Sequence, residues 1–91
     1  MKIIDRLRED KIHTVSYTHL GYVSMDMAQN ILVIKTVSGM AMAVAAAIDA
    51  MKWKEVVGCI AGDDTIMCAV RSVEETVTVM DKIRKIVSKG N

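Results

Sequence analysis

Phenylalanine is absent from this 91-residue chain, and the only other aromatic residues are Trp53, Tyr17 and Tyr22. The core therefore has to be aliphatic, built from the plentiful methionine and alanine and from β-branched residues. The same scarcity speaks against an RNA-binding sheet of the kind that stacks bases on exposed rings. Net charge is nearly absent as well. Twelve basic residues against eleven acidic ones leave +1, so no strong field favours nucleic acid or an anionic membrane over other partners. No apolar run approaches the roughly 20 residues of a membrane span. The charged start Lys2-Ile3-Ile4-Asp5-Arg6 also lacks the apolar stretch of a secretory signal. These absences read as a cytoplasmic protein with no membrane partner. Cysteine is limited to Cys59 and Cys68, and without a secretory signal such a pair reads as reduced core thiols. His13 and His19 have no Cys or Glu at ligand spacing, so no zinc site is expected.

What the chain does have is apolar surface in excess. Ninety-one residues make one small domain, yet 52% of them are apolar. A domain of this size buries only a modest fraction of its surface, so some of that apolar area is expected to lie between subunits.

The rest of the chain is organised around Gly58-Cys59-Ile60-Ala61-Gly62-Asp63-Asp64-Thr65. Val56 to Ile60 and Ile66 to Val70 are short, rich in β-branched residues and bounded by turn residues, so they read as the arms of an antiparallel hairpin. On that hairpin Cys59 and Cys68 could face each other. The turn places Asp63 beside Asp64, and two adjacent carboxylates repel unless solvent, a metal or an organic cation stands against them. Calcium takes roughly six to eight oxygens, more than this segment offers. A guanidinium or an ammonium fits better, the planar guanidinium being able to bind a carboxylate bidentately, and the plain alternative is a solvated turn with no partner.

The other elements follow in order. Ile3, Ile4 and Leu7 give a helical spacing too short to be stable alone, and residues 1–20 read as a linker or N-terminal extension ahead of a domain over 21–91. Tyr22 to Met27 alternates polar and apolar residues, the mark of a half-buried strand. Ala28-Gln29-Asn30 turns the chain into Ile31-Leu32-Val33-Ile34, an apolar run that should be central. Ser38 is expected to cap a helix from about Gly39 to Lys52. Met40, Val44, Ala47, Ile48 and Met51 would cover the sheet, while Met42, Ala45, Ala46 and Asp49 form a second face. Ser72-Val73-Glu74-Glu75 is a capping box that opens the last helix. Val73, Val77, Met80, Ile83, Ile86 and Val87 would be its buried stripe, Lys82, Arg84, Lys85 and Lys89 a solvated basic end, and Gly90 its stop. The expected fold is α+β, a two-layer β-β-α-β-β-α arrangement with a four-stranded antiparallel sheet and two helices on one face.

From Tyr22 to about Val87 the chain resembles the C-terminal, effector-binding and oligomerisation domain of the bacterial arginine repressor family. The resemblance rests on Ile31-Leu32-Val33-Ile34-Lys35-Thr36, Gly39, the Ile48-Asp49 pair and above all Gly58 to Thr65. It implies a trimer that stacks on a second trimer, with L-arginine as the effector at the trimer–trimer interface and no cofactor. Asp63 and Asp64 match the acidic pair that meets the ligand, Asp49 matches the helix acid lining the same site, and Ala61 matches the backbone position beside it. Cys59 stands where Thr is common, and Ser38 where Pro is usual. Met42 stands where Gln or His commonly hydrogen-bonds the ligand, a role that the weak acceptor of a thioether fills poorly. In the family DNA is contacted by a winged helix-turn-helix for which this chain has no room, so it reads as an excised domain or a stand-alone relative. A second reading is an oligomerisation module that has lost or changed its effector, with Met42 as its argument. An enzyme is not expected, because no nucleophile is paired with a base.

Overall fold

A computed structural model describes residues 18–89. The strands are β1 (Tyr22–Ala28), β2 (Ile31–Thr36), β3 (Val56–Ala61) and β4 (Thr65–Val70). The helices are α1 (Ala41–Ala50) and α2 (Val73–Lys89). All neighbouring strands run antiparallel in the order β1-β2-β4-β3. The expected α+β architecture is the observed one.

Period-two alternation decides which face is buried. Leu32, Ile34 and Thr36 of β2 and Ile66, Cys68 and Val70 of β4 point into one layer. There Leu32, Ile34, Ile66, Cys68 and Val70 meet Ala41, Val44, Ala45 and Ile48 of α1 and Val79, Met80 and Ile83 of α2 in a single cluster. Both helices therefore cover the same side of the sheet. The opposite side is open and apolar, with Val23, Ile31, Val57, Ile60 and Met67 between 37% and 80% exposed. Each outer strand carries an irregularity, between Tyr22 and Ser24 in β1 and between Val56 and Gly58 in β3.

The turn of the first hairpin is tied into the sheet. Gln29 adopts a left-handed φ of 56°, and Asn30 ties the first hairpin to the end of β4. Its Nδ2 donates to the Val70 carbonyl at 2.9 Å, and its own carbonyl accepts from the Val70 N–H at 2.9 Å.

The start of α1 corrects the sequence reading. The helix opens at Ala41 after Met40, which makes no side-chain cap hydrogen bond. Ser38 is not the cap because Gly39 has φ +80°, a left-handed bend that separates Ser38 from the helix. Lys52, at φ 57°, takes the chain out of helical geometry at the other end. Ala45 also leaves its expected place. It is buried with the sheet-facing residues, and so is Ala41, while Met42, Ala46 and Asp49 remain exposed.

In α2 half of the capping box is present. The Glu75 N–H donates to Ser72 Oγ at 3.1 Å and Thr76 Oγ1 donates to the Ser72 carbonyl at 2.7 Å. The return contact is missing, since Glu75 Oε2 is buried and has no hydrogen-bond partner among the described residues. The buried stripe is shifted from the expected one. Thr76, Val79, Met80 and Ile83 face the core, whereas Val73 and Val77 are 41% and 47% exposed. Positions 76, 80, 83 and 87 share a helical face, and 73 and 77 fall to one side of it. The stop at Gly90 lies outside the described residues, as do His13 and the brief helical spacing near the N-terminus.

The first described residues, 18–21, form a helical turn packed on this core. His19 Nδ1 lies 3.0 Å from the Val87 carbonyl oxygen, and Thr18 is 1% exposed. A Cβ at Gly21 would sit 2.6 Å from Val44 Cγ2 and 3.3 Å from Met40 Cε. Val44 is fully buried and, being β-branched, has little rotamer freedom to yield. Gly21→Ala should therefore destabilise the domain by about 1–3 kcal/mol. Urea unfolding of the Gly21→Ala, Val44→Ala double variant should show a loss smaller than the sum of the two singles.

Candidate functional site

The turn between β3 and β4 is closed by a hydrogen bond from the Gly62 N–H to the Thr65 carbonyl at 2.8 Å. It is also latched to the segment joining β2 to α1. The Asp63 carbonyl accepts from the Ala41 N–H at 3.1 Å, and the Asp64 carbonyl accepts from the Thr36 N–H at 2.8 Å. One of the orphan N–H groups at the start of α1 thus finds its acceptor in a distant turn rather than in a local cap. The main chain of both aspartates is held firmly while their side chains stay exposed.

The carboxylates are engaged by hydroxyl groups. Ser38 Oγ donates to Asp63 Oδ2 at 3.1 Å. Thr65 Oγ1 donates to Asp64 Oδ1 at 2.9 Å and itself accepts from Lys35 Nζ at 2.9 Å. Lys35 therefore reaches Asp64 only through an intervening hydroxyl. Among the described residues the ion pairs are Lys82 with Glu55 and Arg84 with Asp81, so Asp49, Asp63 and Asp64 have no cation of their own against them.

The remaining candidates extend along α1 and β3. Met42 follows Ala41, directly beside the latched turn, and is 73% exposed. Ala46 and Asp49 lie on the same helical face, and Asp49 is roughly 10 Å further along the axis. Ala61, at the end of β3, is half-buried. Cys59 is half-buried and pairs across the hairpin with buried Cys68, their sulfurs 2.8 Å apart and both thiols free. The hydrogen bond from Cys68 holds the Cys59 thiol below its ordinary pKa, against burial and the nearby Asp49 charge. That hydrogen bond and burial push Cys68 far upward. The structure thus gathers Ala61, Asp63, Asp64 and Met42 at one end of α1, with Cys59 and Asp49 towards the other.

Ser38, Lys35 and Thr65 were missed as site residues by the sequence reading. Lys35 and Thr65 face each other in the β2 and β4 register, a pairing obtainable by aligning the two strands. For Ser38, 25 residues from its partner, no local signal exists. A separate cavity of about 530 Å³, lined by Lys52, Trp53, Lys54, Glu55, Arg71, Glu75 and Lys82, shares none of the candidate residues. Within it Lys82 Nζ contacts Glu55 Oε2 at 2.7 Å and lies 5.5 Å from the Trp53 ring centroid, and this Lys82 hydrogen bond lowers the Glu55 pKa. No group of three or more His, Cys, Asp or Glu side chains among the described residues could hold a metal ion. No described helix is long and apolar enough to cross a membrane.

The sequence that builds this arrangement has close relatives. The family model for the arginine repressor C-terminal domain matches residues 19–85. This chain belongs to that family. It is 73% identical over 70 residues to an arginine repressor of Lachnospira eligens, covering 77% of this chain and 46% of that protein. It is 66% identical over 71 residues to an arginine repressor of Lachnoclostridium phytofermentans, covering 78% and 46% respectively. An arginine repressor of Ruminiclostridium cellulolyticum is 47% identical over 67 residues, 74% of this chain and 45% of the relative. The chain thus spans about half the length of the curated repressors it matches, and those relatives are named as repressors and not as enzymes.

Proposed function

We propose that this arginine repressor C-terminal domain is the effector-sensing and oligomerisation part of a cytoplasmic transcriptional regulator of arginine metabolism. L-arginine binds between two trimers and stabilises a hexamer. DNA is reached only through a winged helix-turn-helix domain separate from residues 21–91. The observation that carries the reading is the pair Asp63 and Asp64, fixed by their main chain to α1 and β2 yet with no cation of their own among the described residues. Like charges brought together from facing subunits repel, and a guanidinium set between them removes the repulsion. Ligand binding and hexamer formation are then linked, each favouring the other. The open sheet face, with Ile60 at 80% and Val57 at 62% exposure, supplies the apolar area that subunit contacts need.

Solution mass measured by light scattering at low protein concentration, with and without millimolar L-arginine and with L-lysine as control, tests the reading. A rise from trimer towards hexamer with arginine only is expected. The exposed thioether of Met42, beside the aspartate turn, favours the second reading, an oligomerisation module with a lost or changed effector. In that case the mass stays constant.

A further inference from the structure

The hairpin that carries the aspartate turn also holds the chain's two cysteines. Cys59 and Cys68 are direct cross-strand partners in the β3 and β4 ladder, both on the side of the sheet that faces the helices. Their sulfurs, 2.8 Å apart, need approach by less than about 1 Å to reach the ~2.05 Å of a disulfide. The two sites differ in access. Cys68 is 1% exposed, whereas Cys59 is half-buried on the edge strand β3.

We propose that Cys59 and Cys68 form a reversible redox couple, oxidised by a hydroperoxide to an intramolecular cross-strand disulfide that staples β3 to β4 next to the aspartate turn. Cys59 is the attacking sulfur and Cys68 the resolving one. The Cys59 thiolate attacks one peroxide oxygen. The O–O bond breaks, a sulfenic acid forms on Cys59, and the other oxygen leaves as hydroxide, which a proton converts to water. The Cys68 sulfur, giving up its proton, then attacks the sulfenic sulfur. The S–S bond forms as the S–O bond breaks, and the hydroxyl group leaves as a second water. Two electrons pass from the sulfurs to one peroxide molecule, so two thiols and one hydrogen peroxide yield one disulfide and two waters. The order of events follows from access and from protonation. The hydrogen bond from Cys68 stabilises the thiolate on Cys59, and the thiolate is the reactive form. Cys68 keeps its proton more firmly until the sulfenic sulfur is in place. The Asp49 charge acts unfavourably on both thiolates.

The test uses the full chain, reduced, desalted and treated with equimolar hydrogen peroxide. Intact mass should fall by two hydrogen masses, and titratable thiols should drop from two to none. Both changes should be reversed by dithiothreitol, with no chain-to-chain crosslink on a non-reducing gel. Cys68→Ser should stop at the sulfenic acid, which dimedone traps. Cys59→Ser should leave Cys68 reacting at least about tenfold more slowly, as its burial requires. Circular dichroism checks that the variants fold, and the wild-type mass decides even where one does not. Accumulation of sulfinic acid, crosslinks between chains, or two persistent thiols in the wild type would each overturn the proposal.

Discussion

Asp63→Asn is expected to remove most of the L-arginine-dependent rise in melting temperature while leaving the domain folded. The exchange preserves shape. The main-chain latch between the Asp63 carbonyl and Ala41 does not involve the side chain, and an amide oxygen can still accept from Ser38. What disappears is a negative charge facing the proposed guanidinium. A hydrogen bond to a charged group contributes about 1.5–3 kcal/mol, or about tenfold to a hundredfold in affinity. At a ligand concentration about a hundred times the dissociation constant, the wild type gains about 2.7 kcal/mol. That corresponds to a shift on the order of 10 °C for a domain of this size. A hundredfold weaker variant would retain a shift of only about 2 °C. Thermal unfolding at increasing L-arginine, with L-lysine as control, reads this directly, and an undiminished shift in Asp63→Asn would sink the effector assignment.

Ile66→Ala is expected to cost about 3–4 kcal/mol, because deleting a fully buried aliphatic side chain loses both its transfer free energy and the packing around the hole. Ile66 has no exposed surface. It lies on the inner strand β4 directly opposite Ile34, within the cluster shared by both helices. Stability runs to about 0.05–0.15 kcal/mol per residue, so for a domain this small the loss is a large part of the whole. Guanidinium or urea unfolding should place the variant's midpoint far below that of the wild type, and a loss under about 1 kcal/mol would contradict the burial. Ile60→Ala is the informative companion. With Ile60 at 80% exposure on the opposite side of the sheet, its removal should change the isolated fold by only about 0.5 kcal/mol. Any larger effect would then fall on self-association.

The contrast between those isoleucines also shows what was readable from residues alone. Alternation located β1, short β-branched runs between turn residues located β3 and β4, and the unbroken apolar run Ile31 to Ile34 marked a strand that lies inside the sheet. The paired carboxylates on a glycine-led turn were visible because turn chemistry is local. Ser38 was misread because its hydroxyl met two competing claims, a local helix end and a carboxylate 25 residues away. The left-handed Gly39 settled the matter in favour of the distant one. The stripe of α2 was misplaced because Val73 and Val77 are as apolar as Val79, and nothing in a helical period says which valines the sheet will meet. Thr76 is buried for a reason periodicity does not see, since its hydroxyl is satisfied by the Ser72 carbonyl. Asp49 and Cys59 were separately nominated, but their proximity depends on how α1 crosses β3.

The irregularities near the beginnings of β1 and β3 bear on how such a molecule can grow. Both lie on the outer strands of the sheet, the places where an unpaired ladder of N–H and C=O groups could otherwise recruit another strand and go on doing so without limit. A bulge bends the strand and interrupts that ladder. Lateral extension into a fibril is thus obstructed on both flanks, while the flat apolar side remains open. Contact across that side buries it without presenting a new strand edge, which biases this chain towards particles of finite size.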